Sequence, residues 1–391
     1  MKLVVIGLGQ CGGNIADEFA RLGKRARSNR GIEIVIGAFA VNTDTADLSS
    51  LSHIKSDFQH RILIGSRRTG GHGVGKVNEL GAEIAKEDGD KILEAIRATP
   101  RLFESDAFLL VAGAAGGTGS GSLPVVTQLI KERYTDKPIY NLTILPFQHE
   151  EDTEGRTVYN SAVCLKSAYS VADAIFLIDN QRYVKKDSPI RNNLGQINRL
   201  IVEPFYNLLC AGEEKKPKHI GSKLLDAGDI IQTLVGWTVI GYGQSPLKLI
   251  TFPLERARHF REKSKEIHKG LQTMDEAVSQ ISLKCNPKDA SRALYLLSAP
   301  AKEMNVDLVK ELGDYLKEMA PDAVIRNGDY PRERGLLDVT VILSELRDVE
   351  KIREYYRRST EFIGEMQRRE EDIKSKLGGV ETAAKDIPSL L

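Results

Sequence analysis

Short apolar runs alternate with helical patterns through the first half of the chain. The apolar runs predict strands at 2–6, 33–41, 61–64, 107–111, 139–145 and 174–178. The patterns between them predict helices at 13–21, 77–86, 90–98, 123–132 and 157–170. This alternation predicts an α/β fold with a parallel sheet and helices on both faces. In sheets of this kind, ligands bind at the carboxyl ends of the strands.

The second half of the chain has a different pattern. A longer helix is predicted at 194–211, followed by a polar loop at 212–219. Further strands and helices are predicted at 247–252, 254–270, 293–297, 305–319, 323–326 and 337–343. This arrangement predicts a second, α+β domain. The charged stretch 348–377 predicts a final helix that ends at Gly378 and Gly379, because glycine commonly terminates helices.

Composition narrows the class of protein. The chain has 391 residues, 41% hydrophobic and 28% charged, which fits two folded domains. Its 55 basic and 54 acidic residues leave a net charge of +1, so charge gives no reason to expect nucleic acid or an anionic membrane as partner. No stretch approaches the roughly 18–20 apolar residues of a membrane span. We therefore expect a cytoplasmic protein whose membrane attachment, if any, runs through other proteins.

The four cysteines and seven histidines show no metal-ligand spacing. There is no CxxC pair and no HxxxH pair, so neither a zinc site nor a disulfide framework is indicated. We therefore expect no metal ion bound mainly by protein side chains.

A first glycine-rich loop follows the first predicted strand and opens a helix. Small residues let the backbone approach phosphate oxygens, and a helix N-terminus supplies N–H donors. The pattern Gly7-x-Gly9-x-x-Gly12 also satisfies the dinucleotide fingerprint of Rossmann enzymes, and a tight turn without a ligand is a third interpretation. The candidate binding residues are Gly9, Gln10, Cys11, Gly12, Gly13 and Asn14.

A second glycine-rich loop spans 113–121 and lies between a predicted strand and a predicted helix. Five glycines in nine residues would cost much conformational entropy without a function, and they can present a row of backbone N–H groups to an anion. A Rossmann dehydrogenase needs one such loop, so two loops indicate an extended polyphosphate held from both sides. The candidate binding residues are Ala114, Ala115, Gly116, Gly117, Thr118 and Gly119.

These loops together resemble the tubulin/FtsZ family. The segment AGAAGGTGSG at 112–121 is similar to the phosphate loop GGGTGSG of tubulins and GMGGGTGTG of FtsZ, and 9–14 is similar to the first loop of that family. The mixture of features most resembles the archaeal CetZ group. Ala115 stands where both relatives usually have glycine, and because alanine does not easily adopt positive φ, we expect a slightly altered backbone there.

The resemblance implies a function and a division of the chain. It implies a GTPase that binds GTP or GDP, with Mg²⁺ held mainly by the phosphates, and that assembles head-to-tail into filaments of its own kind with a role in cell shape or division. It further implies a Rossmann-like GTPase domain, a central helix with a catalytic loop, a C-terminal α+β domain and a helical tail, at 1–193, 194–246, 247–347 and 348–391.

Two further segments follow the order of motifs in the family. Asp44 ends a sequence similar to the NTD of FtsZ, although an Asx-type turn capped by Asp44 also explains it. Gly71 and Gly73 belong to a glycine loop that resembles the family's γ-phosphate sensor. The spacing of Gly70, Gly75 and Lys76 nearly matches a Walker A motif, but the following Val77 lacks the hydroxyl that magnesium requires, so we reject that interpretation.

Ribose and base contacts are implied by the same resemblance. Glu154 and Arg156 match an EG…R stretch that contacts the ribose in FtsZ; spacing favours Glu150, but the sequence match favours Glu154, which we select. An amide side chain can both donate to and accept from guanine. Asn180 and Asn198 match the two asparagines that read guanine in tubulin.

The catalytic residues implied by the resemblance are Asp226 and Asp229. Their segment is similar to the loop of FtsZ that enters the next subunit's nucleotide site, where carboxylates position the attacking water. A plain helix cap at Asp226 is an alternative that can hold at the same time. Leu224 replaces the family's asparagine, which leaves a non-hydrolysing homologue open, and the first loop leaves an NAD(P)-dependent oxidoreductase open.

Overall fold

A computed structural model of the chain describes residues 1–184, 190–247 and 259–384. Its strands are β1 Leu3–Leu8, β2 Val35–Asn42, β3 Arg61–Leu63, β4 Ala107–Gly113, β5 Ile139–Leu145, β6 Ala174–Asp179, β7 Gly236–Pro246, β8 Ala290–Ala299, β9 Val324–Pro331 and β10 Leu336–Leu346. Its α-helices are α1 Gly9–Arg30, α2 Thr45–Ser49, α3 Ser66–Thr69, α4 Asn78–Glu87, α5 Gly89–Arg97, α6 Thr118–Arg133, α7 Gln148–Thr153, α8 Gly155–Val171, α9 Ile190–Ala211, α10 Ala227–Thr233, α11 His259–Ser279, α12 Val306–Met319 and α13 Glu350–Ala384.

The ten strands in the described part of the chain belong to one sheet, in the order β3-β2-β1-β4-β5-β6-β7-β10-β8-β9. The strands from β3 to β7 run parallel, which confirms the predicted Rossmann-like half. β10 is antiparallel to both of its neighbours, and β9 is parallel to β8. The second half of the sheet is therefore mixed, as expected for an α+β region.

The first strand shows why the sheet forms. All six residues of β1 are buried, because helices cover both faces and a strand in this position is apolar on both sides. Val4 and Ile6 belong to one hydrophobic core, whereas Leu3 and Val5 belong to a second core that also contains residues of α1 and α9. Successive side chains of the strand thus point to opposite faces of the sheet and pack into two separate cores.

Strand β7 was missed by the sequence analysis, which assigned its residues to the central-helix region. Gly241 and Gly243 weaken the strand pattern, since glycine is unfavourable in strands. Both face α11: an added Cβ would lie 2.0 Å from the carbonyl oxygen of Ala277 and 2.1 Å from that of Thr273, respectively. These glycines therefore allow helix α11 to pack directly on the sheet.

Each predicted helix overlaps an observed one, but several bounds differ. Helix α1 continues to residue 30 and α11 to residue 279, beyond the predicted ends at 21 and 270, and the short helices α2, α3, α7 and α10 were not predicted. Helix α13 continues through Gly378 and Gly379 to Ala384, so the predicted end there is wrong; an interior glycine costs a helix about 1 kcal/mol, which is too little to terminate it by itself. The predicted strand 247–252 and the start of the predicted helix 254–270 lie largely outside the described residues. Among the residues the structure covers, no helix combines the length and apolar character of a membrane span.

Candidate functional site

A cavity of about 1000 Å³ opens at the carboxyl ends of the parallel strands. Of the residues selected from the sequence, those that line it are Gly9, Gln10, Cys11, Asn14, Asp44, Gly73, Ala115, Gly116, Gly117, Thr118, Gly119, Asn180 and Asn198. The selected residues outside its wall are Gly12, Gly13, Gly71, Ala114, Glu154, Arg156, Asp226 and Asp229. Both glycine-rich loops thus border one cavity.

The two glycine-rich loops touch each other. Gly9 has a φ of 69°, a left-handed conformation that favours glycine, and an added Cβ would lie 2.8 Å from the amide nitrogen of Gly119. Behind them, the buried hydroxyls of Thr43 and Thr118 lie 2.7 Å apart and share a hydrogen bond. The cavity floor is therefore a continuous backbone surface built from both loops.

The second loop uses glycine for close packing. None of its residues from 113 to 121 has a positive φ, so Ala115 occupies a conformation open to alanine and needs no altered backbone. Instead, a Cβ on Gly117 would lie 2.5 Å from Val74, and one on Gly121 would lie 2.0 Å from the carbonyl oxygen of Asn78. The glycines let α4 and the loop before it press against the second loop.

Ala114 does not present its amide to the cavity. Its N–H donates a 2.8 Å hydrogen bond to the carbonyl oxygen of Ile144, extending the ladder between β4 and β5. The expectation that Ala114 contacts phosphate is therefore corrected, because this donor is already used by the sheet. The free backbone N–H groups of the loop begin further along the chain.

Gly12 likewise serves packing. An added Cβ would lie 2.1 Å from the carbonyl oxygen of Val111, so the helix could not approach β4 with any larger residue. Gly13, one position on, is buried on the same helix. Neither glycine lines the cavity, which corrects their selection as direct contacts, and Gly12 is the one that the packing of α1 on β4 requires.

The loop 70–76 covers the second loop from the side. Gly70, Gly71, Gly73, Gly75 and Lys76 all have positive φ, and Gly71 faces away from the cavity, with its carbonyl oxygen accepting from the Thr45 amide. A lysine in this conformation is uncommon. Lys76 lines the cavity, and its sequence signal was hidden by the near match to a Walker motif.

Asn160 on α8 connects the loop 70–76 to the second glycine-rich loop. Its Nδ2 lies 2.9 Å from the carbonyl oxygen of Lys76, 3.0 Å from that of Ala115 and 3.2 Å from that of Gly116. The residue is buried. Sequence analysis missed it because it has no glycine-rich or acidic motif around it and acts only through backbone carbonyls.

Carboxylates line the edge of the cavity near the first loop. Asp44 caps α2 by accepting from the amides of Ala46 and Asp47, as the Asx interpretation expected, and it also borders the cavity. Asp47 was missed by sequence analysis. It accepts a 2.8 Å hydrogen bond from Gln10 and one of 2.9 Å from Asn42, so it orients polar side chains at the cavity wall.

Glu150 lines the cavity, whereas the selected Glu154 does not. Glu154 forms a 2.6 Å ion pair with Lys76, and Arg156 donates a 3.1 Å hydrogen bond to the carbonyl oxygen of Lys76. The spacing argument for Glu150 was thus the better guide to position. Residues 154 and 156 instead hold the loop 70–76 from outside.

The far end of the cavity is partly apolar. Asn180 and Asn198 face it together with Phe147, Leu194 and Ile197. Asn180 begins a short 3₁₀ helix capped by Asp179, whose carboxylate accepts a 3.0 Å hydrogen bond from the amide of Gln181. Two amides beside apolar side chains suit a flat base with polar edges.

Helix α13 clamps this end of the cavity from behind. Glu151 lies between the cavity-lining residues Glu150 and Asp152, but its own carboxylate is buried. It accepts a 2.6 Å hydrogen bond from Tyr355 and pairs with Lys351 at 3.1 Å. A third partner is Arg358, whose guanidinium lies 3.2 Å from the carboxylate. Lys351 also reaches Asp179 at 3.2 Å, so one helix holds both base-facing segments.

Cys11 is the one thiol in the cavity wall among the described residues. Burial, and secondarily the nearby Glu150 carboxylate, raises its pKa to about 12. The thiol therefore stays protonated and acts as a small apolar contact, since only the thiolate is a good nucleophile.

Asp226 and Asp229 lie at the other end of α9. Asp226 caps α10, accepting a 2.9 Å hydrogen bond from the Asp229 amide, and an added Cβ on Gly212, next to the end of α9, would lie 3.1 Å from the Asp226 Cα. Asn198 precedes that end by thirteen residues, or about 20 Å of helix. Within one chain the two carboxylates therefore do not reach the cavity.

Among residues 1–184, 190–247 and 259–384, no cluster of three or more His, Cys, Asp or Glu side chains is arranged to hold a metal ion. The carboxylates that line the cavity belong to Asp44, Asp47, Glu150 and Asp152, and that of Asp47 is already engaged by two side-chain amides. The donor set fits a cation that is coordinated mostly by its own ligand.

A two-loop phosphate cavity, a central helix and a mixed-sheet second half together define the class of tubulin-like nucleotide-binding proteins. Residues 2–186 match the Tubulin/FtsZ family, GTPase domain, and residues 187–361 match the tubulin-like CetZ, C-terminal domain. The chain therefore belongs to the tubulin/FtsZ family of GTPases, in its CetZ group. This membership does not favour the oxidoreductase interpretation.

Individual relatives support the same assignment. The tubulin-like protein CetZ1 of Haloferax volcanii is 34% identical over 375 residues, which cover 90% of each chain. The CetZ protein of Thermococcus kodakarensis is 28% identical, covering 96% of this chain and 90% of its own.

Solved structures agree with the sequence comparisons. Haloferax volcanii CetZ1, solved as a GDP-bound monomer, superposes with a TM-score of 0.79 and 32% identity over 92% of this chain and 99% of its own. Haloferax volcanii CetZ2, solved as a GTPγS-bound protofilament, has a TM-score of 0.80 and 29% identity over 94% of this chain and 100% of its own.

Proposed function

We propose that the chain is a GTP-binding, GTP-hydrolysing cytoskeletal protein that assembles head-to-tail in the cytoplasm, with a role in cell shape or division. The observation that carries this proposal is the separation of Asp226 from the cavity by the length of α9. A catalytic carboxylate at one end and a phosphate cavity at the other make a complete site only between two copies. A contact of this kind repeats from copy to copy and produces filaments.

The nucleotide is oriented by chemistry at both ends of the cavity. The abutting loops around Gly9 and Gly119 offer backbone donors to phosphates, and Asn180 and Asn198 offer paired donors and acceptors to guanine. Adenine would leave these amides mismatched, which a polar site penalises. The GDP and GTPγS in the two Haloferax structures support a guanine nucleotide here.

Hydrolysis is assigned to Asp226 and Asp229 of the following copy. Asp226 is exposed, and Asp229 lies 3.5 Å from Arg326, so Asp226 is the freer carboxylate to position water. Mg²⁺, when it accompanies the nucleotide, would be held mainly by phosphate oxygens, with Asp44 and Asp47 among the carboxylates of the cavity wall. It would neutralise the charge that develops on the phosphates.

The proposed division of the chain follows the same reasoning. Residues 1–193 would form the nucleotide-binding unit, 194–246 the link that carries the catalytic loop, and 247–347 the unit that meets the next copy. The tail 348–391 would brace the nucleotide unit through the contacts of Lys351, Tyr355 and Arg358 with Glu151. Any membrane attachment would run through other proteins.

The decisive experiment is complementation between two variants. Asp226→Asn keeps the helix cap, because asparagine caps as well as aspartate, but removes the charge. A second variant, Asn180→Ala with Asn198→Ala, weakens the cavity and keeps Asp226. We expect each alone to release phosphate from GTP slowly, and a mixture to release more than the sum of the two, with assembly followed by pelleting.

The controls separate the parts of the proposal. Asn305→Ala removes the N-cap of α12 and should leave hydrolysis unchanged. If Asp226→Asn hydrolyses GTP at the parental rate, the role of Asp226 is wrong; if the mixture shows no gain, hydrolysis between copies is wrong. Chromatography of the nucleotide released from the purified protein tests guanine binding independently of both.

A further inference from the structure

A second cavity, of about 320 Å³, lies away from the nucleotide site. It is formed by the end of α1, the segment after α9 and the turn between β9 and β10. Its wall contains five cationic side chains and one carboxylate, and the complete lining is Asn29, Arg30, Tyr206, Lys216, Lys218, His219, Arg332, Glu333 and Arg334. An excess of positive charge in the wall of a small recess favours an anion as its occupant.

Two of the arginines are fixed in place from behind. Arg332 is 5% exposed, and its Nη1 lies 3.1 Å from the Asp338 carboxylate and also contacts Asn207 of α9. Its Nε and Nη2 have no partner among the described residues. Arg30 lies 3.6 Å from the buried Glu214 carboxylate and stacks over the Tyr330 ring at 5.4 Å. Both guanidinium groups are thus preorganised at the cavity wall.

His219 is an unpartnered polar group in the same wall. The residue is 6% exposed, yet its imidazole makes no hydrogen bond to any residue that the structure describes. Burial, followed by the charge of Arg30, lowers the pKa of His219. A neutral imidazole retains one N–H donor, and since His219 lines the recess, this donor is available to a ligand there.

The outer cations remain available to a ligand. Lys218 pairs with Glu333 at 2.8 Å and cancels the single carboxylate of the wall. Lys216 and Arg334 are exposed and form no ion pair with the described residues. The recess therefore has fixed arginines inside and two uncompensated cations at its mouth.

We propose that this recess binds a small soluble anion that carries two or more phosphate groups. The fork of an arginine side chain matches the oxygens of a phosphate group, and arginines approach from two separate segments of the chain. The volume admits a small molecule, whereas a folded partner or a flat membrane could not reach the recessed Arg332. The site is independent of the nucleotide cavity and of the function proposed for it.

The test is calorimetric titration of the full chain with inorganic tripolyphosphate at low salt. Saturating GDP is present throughout, so that the nucleotide cavity is filled. We expect one binding event per chain that weakens as salt rises. Lys216→Gln and Arg334→Gln should each weaken binding on the order of five- to tenfold, as loss of a charge-assisted contact does.

The matched control is Lys215→Gln, since Lys215 is an exposed lysine next to Lys216 that does not line the recess. It should bind like the parent, and the imidazole resonances of His219, assigned with His219→Gln, should shift on titration. Absence of binding would overturn the proposal. Equal weakening by Lys215→Gln and Lys216→Gln would also overturn it, because diffuse surface charge would then explain the binding.

Discussion

The hydroxyl of Tyr355 donates a 2.6 Å hydrogen bond to the buried carboxylate of Glu151. These residues lie more than two hundred positions apart in the chain, and the bond joins the last helix to the segment that borders the base end of the cavity. Glu151, 4% exposed, needs its donors because an unpaired buried carboxylate is costly. The position of the cavity wall therefore depends on α13.

Tyr355→Phe should destabilise the protein. It removes one donor from a buried carboxylate and should lower the free energy of unfolding by about 1–3 kcal/mol, measured by urea unfolding. Tyr356→Phe is the control, since the Tyr356 hydroxyl makes no hydrogen bond to the described residues. This substitution leaves the hydrogen bond between Tyr355 and Glu151 in place. Equal unfolding midpoints for Tyr355→Phe and the parent would contradict the clamp.

Asn160→Ala should weaken GDP binding. The substitution releases the carbonyl groups of Lys76 and Ala115, so both loops lose their shared support. We expect the dissociation constant to rise on the order of tenfold, which corresponds to about 1.4 kcal/mol, in a fluorescence titration.

Asn141→Ala separates this effect from general destabilisation. Asn141 is also buried, but its side chain bonds to Thr127, inside the core. Its loss should lower stability and leave the dissociation constant near the parental value. If both variants weaken GDP binding equally, the effect of Asn160 is not specific to the loops.

Two glycines of the second glycine-rich loop should differ in how much stability their replacement by alanine costs. At Gly121 a Cβ would lie 2.0 Å from the carbonyl oxygen of Asn78, whereas at Gly116 nothing lies within 4 Å. Overpacking of this kind costs about 1–3 kcal/mol, so Gly121→Ala should unfold at clearly lower urea concentration. Gly116→Ala should stay within about 0.5 kcal/mol of the parent, and a comparable loss there would refute the packing explanation.

Cys11 should resist alkylation in the folded protein. Because its pKa is raised to about 12 from a reference value of 9.0, the folded state holds the proton more tightly than the unfolded state. The contribution of this group to the free energy of unfolding is fully present below pH 9, and it is lost as the pH rises toward 12. At pH 8 the thiolate fraction should be roughly 1,000-fold lower than in the unfolded chain.

Peptide mass spectrometry after iodoacetamide treatment measures this difference. Protein unfolded in urea is the control and should be labelled rapidly at Cys11. Labelling of the folded protein at the unfolded rate would show that the thiol is not buried in this way.

Much of the fold was predictable because its first half repeats a local pattern. β5 was predicted with its observed bounds, since Ile139–Leu145 is mostly apolar and its two polar residues, Asn141 and Thr143, do not interrupt the strand pattern. β7 was not predicted, because Gly241 and Gly243 weaken its strand pattern. Both residues are glycine because α11, which is distant in sequence, packs directly against them. Local sequence patterns therefore reveal a strand whose residues are mostly apolar. They miss a strand that contains glycines needed for contact with a helix elsewhere in the chain.

The candidate site divides in the same way. Gly9 and Thr118 were found because loop motifs are contiguous in sequence. Ala114 was misassigned because only the sheet reveals that its amide is already bonded to Ile144. Asn160 and Glu151 were not predicted, because each acts through tertiary contacts. Contacts of this kind produce no recognisable spacing of residues in the sequence.

Strand β7 joins the two halves of the molecule unequally. It pairs with β10 along eight residue pairs but with β6 along only three, from Gly236 to Thr238. Beyond Thr238 the place of direct pairing is taken by Ser282, which follows α11. Its amide donates to the carbonyl oxygen of Ile240 and its hydroxyl to that of Leu177, while its own carbonyl oxygen accepts from the amide of Asp179. One serine from outside both strands therefore completes the joint between the halves, and the continuity of the sheet depends on a residue that belongs to neither strand.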